Sequence, residues 1–540
     1  MPVRTPTPEL IGKFIAAGVW QDRPLHAVVD AHARTRPDAP AIADQHERLS
    51  YAEFVRRSHA LGRYFLDLGL APGARVAVQS GNRLALALTH LACNRADLVF
   101  VPLSNAWRHK EIGHLLAVAE AEVLVVPQAE AGFDYLRMVA DLRHELPALR
   151  HVGSLDGPAL GANFDYDEVS RREVVPLAVD RDPNDARYVM VTSGTTELPR
   201  MSLWSDNNLW AFMQEFIRSI ELGENDIAVG LSPANTGAVG YVFAVLGPLL
   251  AGAASVLLEE WSVENAFRLM VDEHATTATA VPTQVVKMLQ SETVRDHDFS
   301  SLRVFTNAGA AMPPHTAAKM EEVFGCTGHV CYGASDGGSP IMTKLSDPAE
   351  FRHTTVGQVS ALSEIRLVDA FGEEVGAGQA GEICWRTPTK SYGYLNEPER
   401  TAAAWDEDGF YRSGDLGVLN EAGYLRIVGR SKDVIIRGGQ NISPLEIEIA
   451  ISKHPAVAEV SVVGVPDPVY GERACACLVT RQNQPVTVAE LAAFLLDQGM
   501  ARYKLPERVA LFDELPKSAG GKISKVELRH RVAAREPAEA

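Results

Sequence analysis

The sequence predicts an α/β protein, with a large N-terminal domain of stacked βαβ sheets joined to a small α+β C-terminal domain. Three observations carry that reading. The chain has 540 residues, more than one hydrophobic core usually organises. Short β-branched runs alternate with helical patterns through roughly the first four hundred residues, the rhythm of βαβ units around a largely parallel sheet. Near the C-terminus this gives way to closely spaced strands at Val460 to Val465 and Cys475 to Val479, then a helix from Val488 to Gln498.

The elements follow from local chemistry. Ser50 and Glu53 form a capping box, and the helix they start places Phe54, Leu61, Phe65 and Leu68 on one face before Gly69 breaks it. Arg75 to Gln79 and Val123 to Val126 read as strands, the second stopped by Pro127. Tyr188 to Val191 is a third strand and runs into the loop from Thr192 to Thr196, at the kind of strand end where such sheets bind ligands. Thr487 and Glu490 cap the Val488 helix, and Gly499 ends it. Ile447, Ile449 and Ile451 alternate as a strand would, but Ser443, Pro444 and Glu446 supply an N-cap, a first-turn proline and a box carboxylate, so a helix is expected. The domain boundary falls at Gly429 to Asp433, giving domains of residues 1–430 and 431–540.

Composition narrows the function. Hydrophobic residues make up 46% and charged residues 22%, as in a folded globular protein. The net charge of -18, with no Lys/Arg-rich run, argues against nucleic acid as a partner. The six cysteines show no Cys-x-x-Cys spacing, and Met1 to Lys13 lacks a secretory pattern; free thiols in a cytoplasmic protein are expected. Gly237 to Leu258 carries no charge and is long enough to span a bilayer, but Pro248 and Gly252 split it into a helical and a strand-like half. A buried core element, not a membrane span, is predicted there.

The loop Thr192-Ser193-Gly194-Thr195-Thr196 combines hydroxyls with closely spaced backbone amides, a combination that holds phosphate oxygens. It continues Glu197-Leu198-Pro199-Arg200 and so lacks the Gly-Lys-Ser/Thr end of the Walker pattern. Together with Tyr332-Gly333-Ala334-Ser335-Asp336, Tyr411-Arg412-Ser413-Gly414-Asp415, Gly429-Arg430-Ser431-Lys432-Asp433 and Pro516 to Lys522, it resembles the ordered motif set of the ANL adenylate-forming superfamily. That superfamily comprises acyl- and aryl-CoA synthetases, peptide-synthetase adenylation domains and luciferases. The resemblance runs from about Leu49 to Arg529.

It implies ATP, Mg2+ and coenzyme A as cofactors, and a role for each matching residue. Thr192 to Thr196 and Arg200 would hold phosphates, with Ser335 at the α-phosphate. Tyr332 would stack on adenine against a thin wall of Ala308 and Gly309, with Gly333 beside it. Asp415 can accept both ribose hydroxyls, and Arg430 would donate to the same sugar. Asp336 stands where the family usually has a magnesium-binding glutamate. Lys522 would be the catalytic cation, since attack by a carboxylate on the α-phosphate brings two anions together. Lys432 falls at the hinge about which the C-terminal domain of the family rotates between half-reactions, and Gly438 and Gly439 at the segment lining the pantetheine channel. Two departures are Glu197 for the usual glycine and Arg200 for the usual lysine.

The acyl pocket of the family is built from the segment around Asn235 to Tyr241, with Asn235, Thr236, Gly237 and Tyr241 singled out in it, the turn at Ala308-Gly309, and Gly333 to Pro340, with Ala334 and Gly338 among them. No aspartate stands where peptide-synthetase domains pair with an amino group, which disfavours an amino acid. Ser232-Pro233, Thr236-Gly237 and the run Gly429 to Asn441 look closest to cyclohexanecarboxylate-type and aryl-CoA ligases. An aryl, alicyclic or medium-chain carboxylic acid is the expected substrate. Three alternatives stay open: an adenylating enzyme that loads an acyl carrier protein, a member activating another anion such as nitrite, and a nucleotide sensor without catalysis.

Overall fold

The computed structural model describes residues 6–192, 198–235, 237–360, 363–481, 484–518 and 521–534. Two βαβ sheets dominate. In the first, seven strands run in the order Met201–Ser205, Ala186–Val191, Val99–Ser104, Arg75–Ser80, Val123–Val126, His151–Ser154 and Phe164–Asp165. All neighbours are parallel except the first pair. In the second, nine strands run from Gln358–Val359 through Gly338–Met342, Thr327–Ala334, Val304–Ala308, Thr277–Ala280, Ile227–Gly230, Ala254–Leu257 and Pro40–Ala43 to Arg48–Ser50. Its centre is parallel and its margins antiparallel.

The sheets stack through one shared core. Val76, Phe100 and Tyr188 from the first sheet and Ile42, Leu257 and Val304 from the second belong to a single buried cluster. The Leu84–Arg95 helix lies in that cluster with all twelve residues buried, which is why its sequence is apolar all round and not amphipathic. Separate clusters cover the outer faces, so helices flank each sheet on both sides as parallel strands require. A four-stranded antiparallel sheet, Glu364–Val368, Ala380–Arg386, Tyr411–Leu419 and Leu425–Arg430, adjoins them. Five further strands, from Ile435–Arg437 to Arg508–Leu511, form the C-terminal sheet over its own core of Ile447, Val462, Ala476 and Leu491.

Most local expectations hold, with instructive exceptions. Ser50 caps the Tyr51–Asp67 helix, accepting from the Glu53 amide, but the Glu53 carboxylate turns to Arg56 and Arg57 instead of closing the box. Pro444–Ile451 is helical, yet Ser443 does not cap it. Its hydroxyl donates to the Val428 carbonyl at 2.6 Å, and Glu446 pairs with Lys504. Partners from elsewhere in the chain have displaced local capping there. The uncharged stretch from Gly237 is a π-helix over Ala238–Leu246, a short α-helix over Gly247–Ala251 and a core strand over Ala254–Leu257. Among the described residues no helix is long and apolar enough to cross a membrane. All six cysteines are buried.

Candidate active site

The strand Ala186–Val191 pairs antiparallel with Met201–Ser205, and the expected phosphate loop joins the two in the chain. Its neck is closed by the Thr192 amide donating to the Arg200 carbonyl at 2.8 Å and the Arg200 amide donating to Thr192 Oγ1 at 3.2 Å. Ser193, Gly194, Thr195, Thr196 and Glu197 lie outside the described residues, as does Thr236. The return strand grips the second sheet: Ser202 Oγ and Trp204 Nε1 donate to the Ser335 carbonyl at 2.8 and 3.2 Å. Gly237 fills the remaining corner. A Cβ there would stand 3.1 Å from Ser335 Oγ and 3.7 Å from the Val191 carbonyl, and its φ of +85° favours glycine.

Parallel pairing sets Ala308 opposite Cys331, so the Ala308-Gly309 turn and Tyr332 leave neighbouring strand ends together. Tyr332 is half-buried, edge-on to Trp385 at 5.7 Å, and donates to Asp415 Oδ2 at 3.0 Å. Burial, then the Asp415 charge, pushes its phenol well above the ordinary range. Asp415 and Arg430 are cross-strand partners, with Arg430 Nε donating to Asp415 Oδ1 at 2.6 Å. Gly333 is required where it stands, because a Cβ would come within 2.4 Å of the Gly338 carbonyl. Gly338 is equally confined by the Thr389 carbonyl, 2.3 Å from its would-be Cβ. Ala334 pairs with Gly338 and packs into the Trp385 cluster.

Lys522 arrives from the C-terminal sheet side and lies against this wall. A Cβ on Gly309 would meet Lys522 Cε at 3.1 Å and Nζ at 3.7 Å, with Val239 on the other flank at 3.6 Å. Its turn is held by the Ser518 amide donating to the Lys522 carbonyl at 2.7 Å and by Thr283 Oγ1 donating to the Gly521 carbonyl at 3.3 Å. Gln290, on the same helix as Thr283, donates to the Ala458 carbonyl at 3.1 Å. Desolvation, then Arg430, pulls the Lys522 ammonium below the ordinary lysine range, against the attraction of Asp415 and Asp336. Lys432 is likewise lowered by desolvation and Arg430, within reach of the charges of Asp415 and Arg200. Lys432 thus lies within electrostatic reach of Arg200, Arg430 and Asp415, and Lys522 within reach of Arg430, Asp415 and Asp336, a gathering of cations that suits a polyphosphate.

That shift has a measurable consequence. The cationic form of Lys522 is the useful one, so activity is lost as pH rises through its pKa. The kcat/KM of ATP–pyrophosphate exchange, which reports the free enzyme, is expected to fall on the alkaline side below the ordinary lysine value of about 10.4. Bound phosphates favour the ammonium, so kcat should fall at a higher pH. A kcat/KM limb at or above the ordinary value would contradict the assignment.

Several expected residues stand elsewhere. Tyr241 is buried in the core, stacked with Tyr188 at 5.9 Å, its hydroxyl 2.8 Å from His90 Nδ1. Burial holds that imidazole down to about 3, hence neutral. The π-helix turns Tyr241 inward and leaves Val239 half-buried on the side of Lys522. Asn235 is also buried, donating to the Ser80 carbonyl and to Asn105 Oδ1. Gly438 and Gly439 form an exposed turn with φ of +55° and +81°, tied to Tyr470 through the Gly438 amide and not in contact with the nucleotide cleft. Asp336 does not fit as a magnesium ligand. It is buried, and its two oxygens accept from the hydroxyls of Tyr394 and of Tyr411, the latter at 2.7 Å. Among the described residues no cluster of three metal-ligating side chains exists. Val239 falls inside the Asn235 to Tyr241 segment that sequence reasoning assigns to the acyl pocket, whereas that reasoning misses Thr283, Tyr394 and Trp385. No local pattern marks them, since each meets the site through long-range packing.

A gathering of cations, an aromatic face beside a thin glycine wall and a lysine from the smaller lobe are compatible with joining an acid to the α-phosphate of ATP. That chemistry defines the class of AMP-forming, ATP-dependent ligases. The chain belongs to the AMP-binding enzymes, with the family profile matching residues 29–395 and the profile of the AMP-binding enzyme C-terminal domain matching residues 446–522. It is 30% identical over 524 residues to the medium-chain fatty-acid–CoA ligase of Escherichia coli (strain K12), covering 96% of this chain and 92% of that one. It is 31% identical over 534 residues to the 2,3-dihydroxybenzoate-AMP ligase of Bacillus subtilis (strain 168), covering 98% and 97%. The structure of ATP-bound MatB from Rhodopseudomonas palustris superposes with a TM-score of 0.84 at 26% identity, covering 94% and 99%. The chain is an adenylate-forming enzyme with the fold of that superfamily.

Proposed function

We propose that this enzyme is a cytoplasmic acyl-CoA synthetase for an apolar carboxylic acid of the aryl, alicyclic or medium-chain kind. In the first half-reaction a carboxylate oxygen bonds to the α-phosphorus of ATP and pyrophosphate leaves. In the second, the sulfur of a thiol bonds to the acyl carbon, the thiol proton is released and AMP departs. The observation that carries the reading is Lys522 held against Gly309, beside the adenine wall and within electrostatic reach of Asp415 and Asp336. There it can meet the charge that builds at phosphorus. The apolar preference is supported by Val239 beside Lys522 and Gly309. Magnesium would enter as the counter-ion of ATP, and CoA as the acyl acceptor.

Assaying a panel of carboxylic acids for pyrophosphate release, without acceptor, with CoA and with a phosphopantetheinylated carrier protein, tests the proposal. Release that becomes catalytic with CoA supports it. Turnover only with the carrier protein makes the enzyme a carrier-loading one, and no release with any acid removes the reading.

A domain boundary at Gly429 to Asp433 is supported by the Leu425–Arg430 strand giving way there to a short turn over Ser431–Asp433. Rotation about Lys432 would withdraw Lys522 and bring the Gly438-Gly439 turn to the cleft. Lys432→Pro and Lys432→Ala remove the same charge, but only proline fixes the backbone. The proline variant is expected to keep the adenylation rate of the alanine variant while losing at least about tenfold in thioester formation. Equal thioester rates in the two variants would count against the hinge.

A further inference from the structure

The turn from Ser335 to Gly338 is braced on every side. Asp336 accepts from Tyr394 and Tyr411 through its side chain, and from Ser391 Oγ through its carbonyl. Trp385 Nε1 donates to the Gly337 carbonyl at 2.8 Å. A Cβ on Gly337 would stand 2.4 Å from the Tyr411 ring, so any larger residue would push that hydroxyl off Asp336. Within these walls aspartate fits, and a longer carboxylate would have to displace a tyrosine.

Tyr394 leads back to the phosphate hairpin. The Leu203 amide donates to the Gly393 carbonyl at 2.9 Å and the Leu395 amide to the Met201 carbonyl at 2.8 Å, so the Tyr394 segment runs alongside the strand that begins next to Arg200. The Arg200 guanidinium lies over the Tyr394 ring, 5.8 Å from its centroid. Cation–π attraction acts over that distance, and Asp336 fixes the ring by holding its hydroxyl.

We propose that Asp336 is a positioning residue acting through Tyr394 to set the phosphate-binding Arg200, and that it is not a magnesium ligand. This role rests on adenylation at this site but not on any particular acid or thiol acceptor.

A double-mutant cycle on the full chain, read by ATP–pyrophosphate exchange, tests it. Asp336→Asn and Tyr394→Phe are each expected to raise the KM for ATP about tenfold, with the Mg2+ concentration for half-maximal rate shifting by less than about twofold, since loss of a metal ligand or its support costs about ten- to a hundredfold. In an Arg200→Ala background neither substitution should raise KM further. Additive effects in that background overturn the relay. A tenfold higher Mg2+ requirement in Asp336→Asn, absent from Tyr394→Phe, makes Asp336 a metal ligand and overturns the proposal. Should Asp336→Asn fail to fold, Tyr394→Phe with Arg200→Ala still closes the relay arm. Titrating the nucleotide-free wild-type chain with Mg2+ then decides the metal arm: no change in near-UV tyrosine absorption is expected, and a saturable change absent from Tyr394→Phe overturns it.

Discussion

Replacing Lys522 by alanine is expected to slow acyl-adenylate formation by about two to three orders of magnitude, the usual loss when one preorganised charge-stabilising group is removed. Thioester formation from preformed acyl-AMP should stay within about threefold of wild type, because the cation matters only while charge builds at phosphorus. The structure makes the substitution local. Lys522 sits on a turn fixed by main-chain bonds from Ser518 and to Thr283, which alanine leaves intact. Measuring pyrophosphate exchange alongside thiol transfer from synthetic acyl-AMP separates the two steps. Equal losses in both would show that Lys522 supports the fold or the acyl site instead of the adenylation step.

Asp415→Ala should have the second largest effect, raising the KM for ATP by about a hundredfold with a smaller change in kcat. Asp415 binds Arg430 at 2.6 Å and Tyr332 at 3.0 Å, so its loss removes the acceptor proposed for the ribose and releases the aromatic face proposed for adenine. It also leaves Arg430 and Lys522 with one fewer compensating anion, which should lower the Lys522 pKa further. Asp415→Asn keeps one acceptor oxygen and should fall between the two. Isothermal titration with ATP, compared with pyrophosphate, is the check. A loss shared equally by pyrophosphate would place Asp415 at the phosphates and not the sugar.

Much of the chain's secondary structure was legible because its causes are local. Thr487 caps its helix as its spacing to Glu490 predicts, and Val123–Val126 is a strand because four buried β-formers meet a proline. Reading failed where another partner, near or far along the chain, competed for the same group. Glu53 and Ser443 have the right chemistry for capping, but nearby arginines claim one and the Val428 carbonyl the other. Tyr241 belongs to a segment expected at the acyl pocket, and a helix wound with one more residue per turn than expected turns it into the core. Asp336 shows the same limit at the site, since its two tyrosine partners lie 58 and 75 residues away.

By itself the sequence determined the α/β class and the order of the motifs, because residue type and spacing along the chain fix those, and through the resemblance the motifs carry it singled out Lys522, Asp415, Arg430 and Tyr332. Only the tertiary structure decided which of these groups share one cleft, that Val239 and not Tyr241 flanks the lysine, and that Asp336 is already occupied by tyrosines. The physical reason is that the protonation, orientation and availability of a side chain depend on what surrounds it, and at this site those surroundings come from strands far apart in the chain.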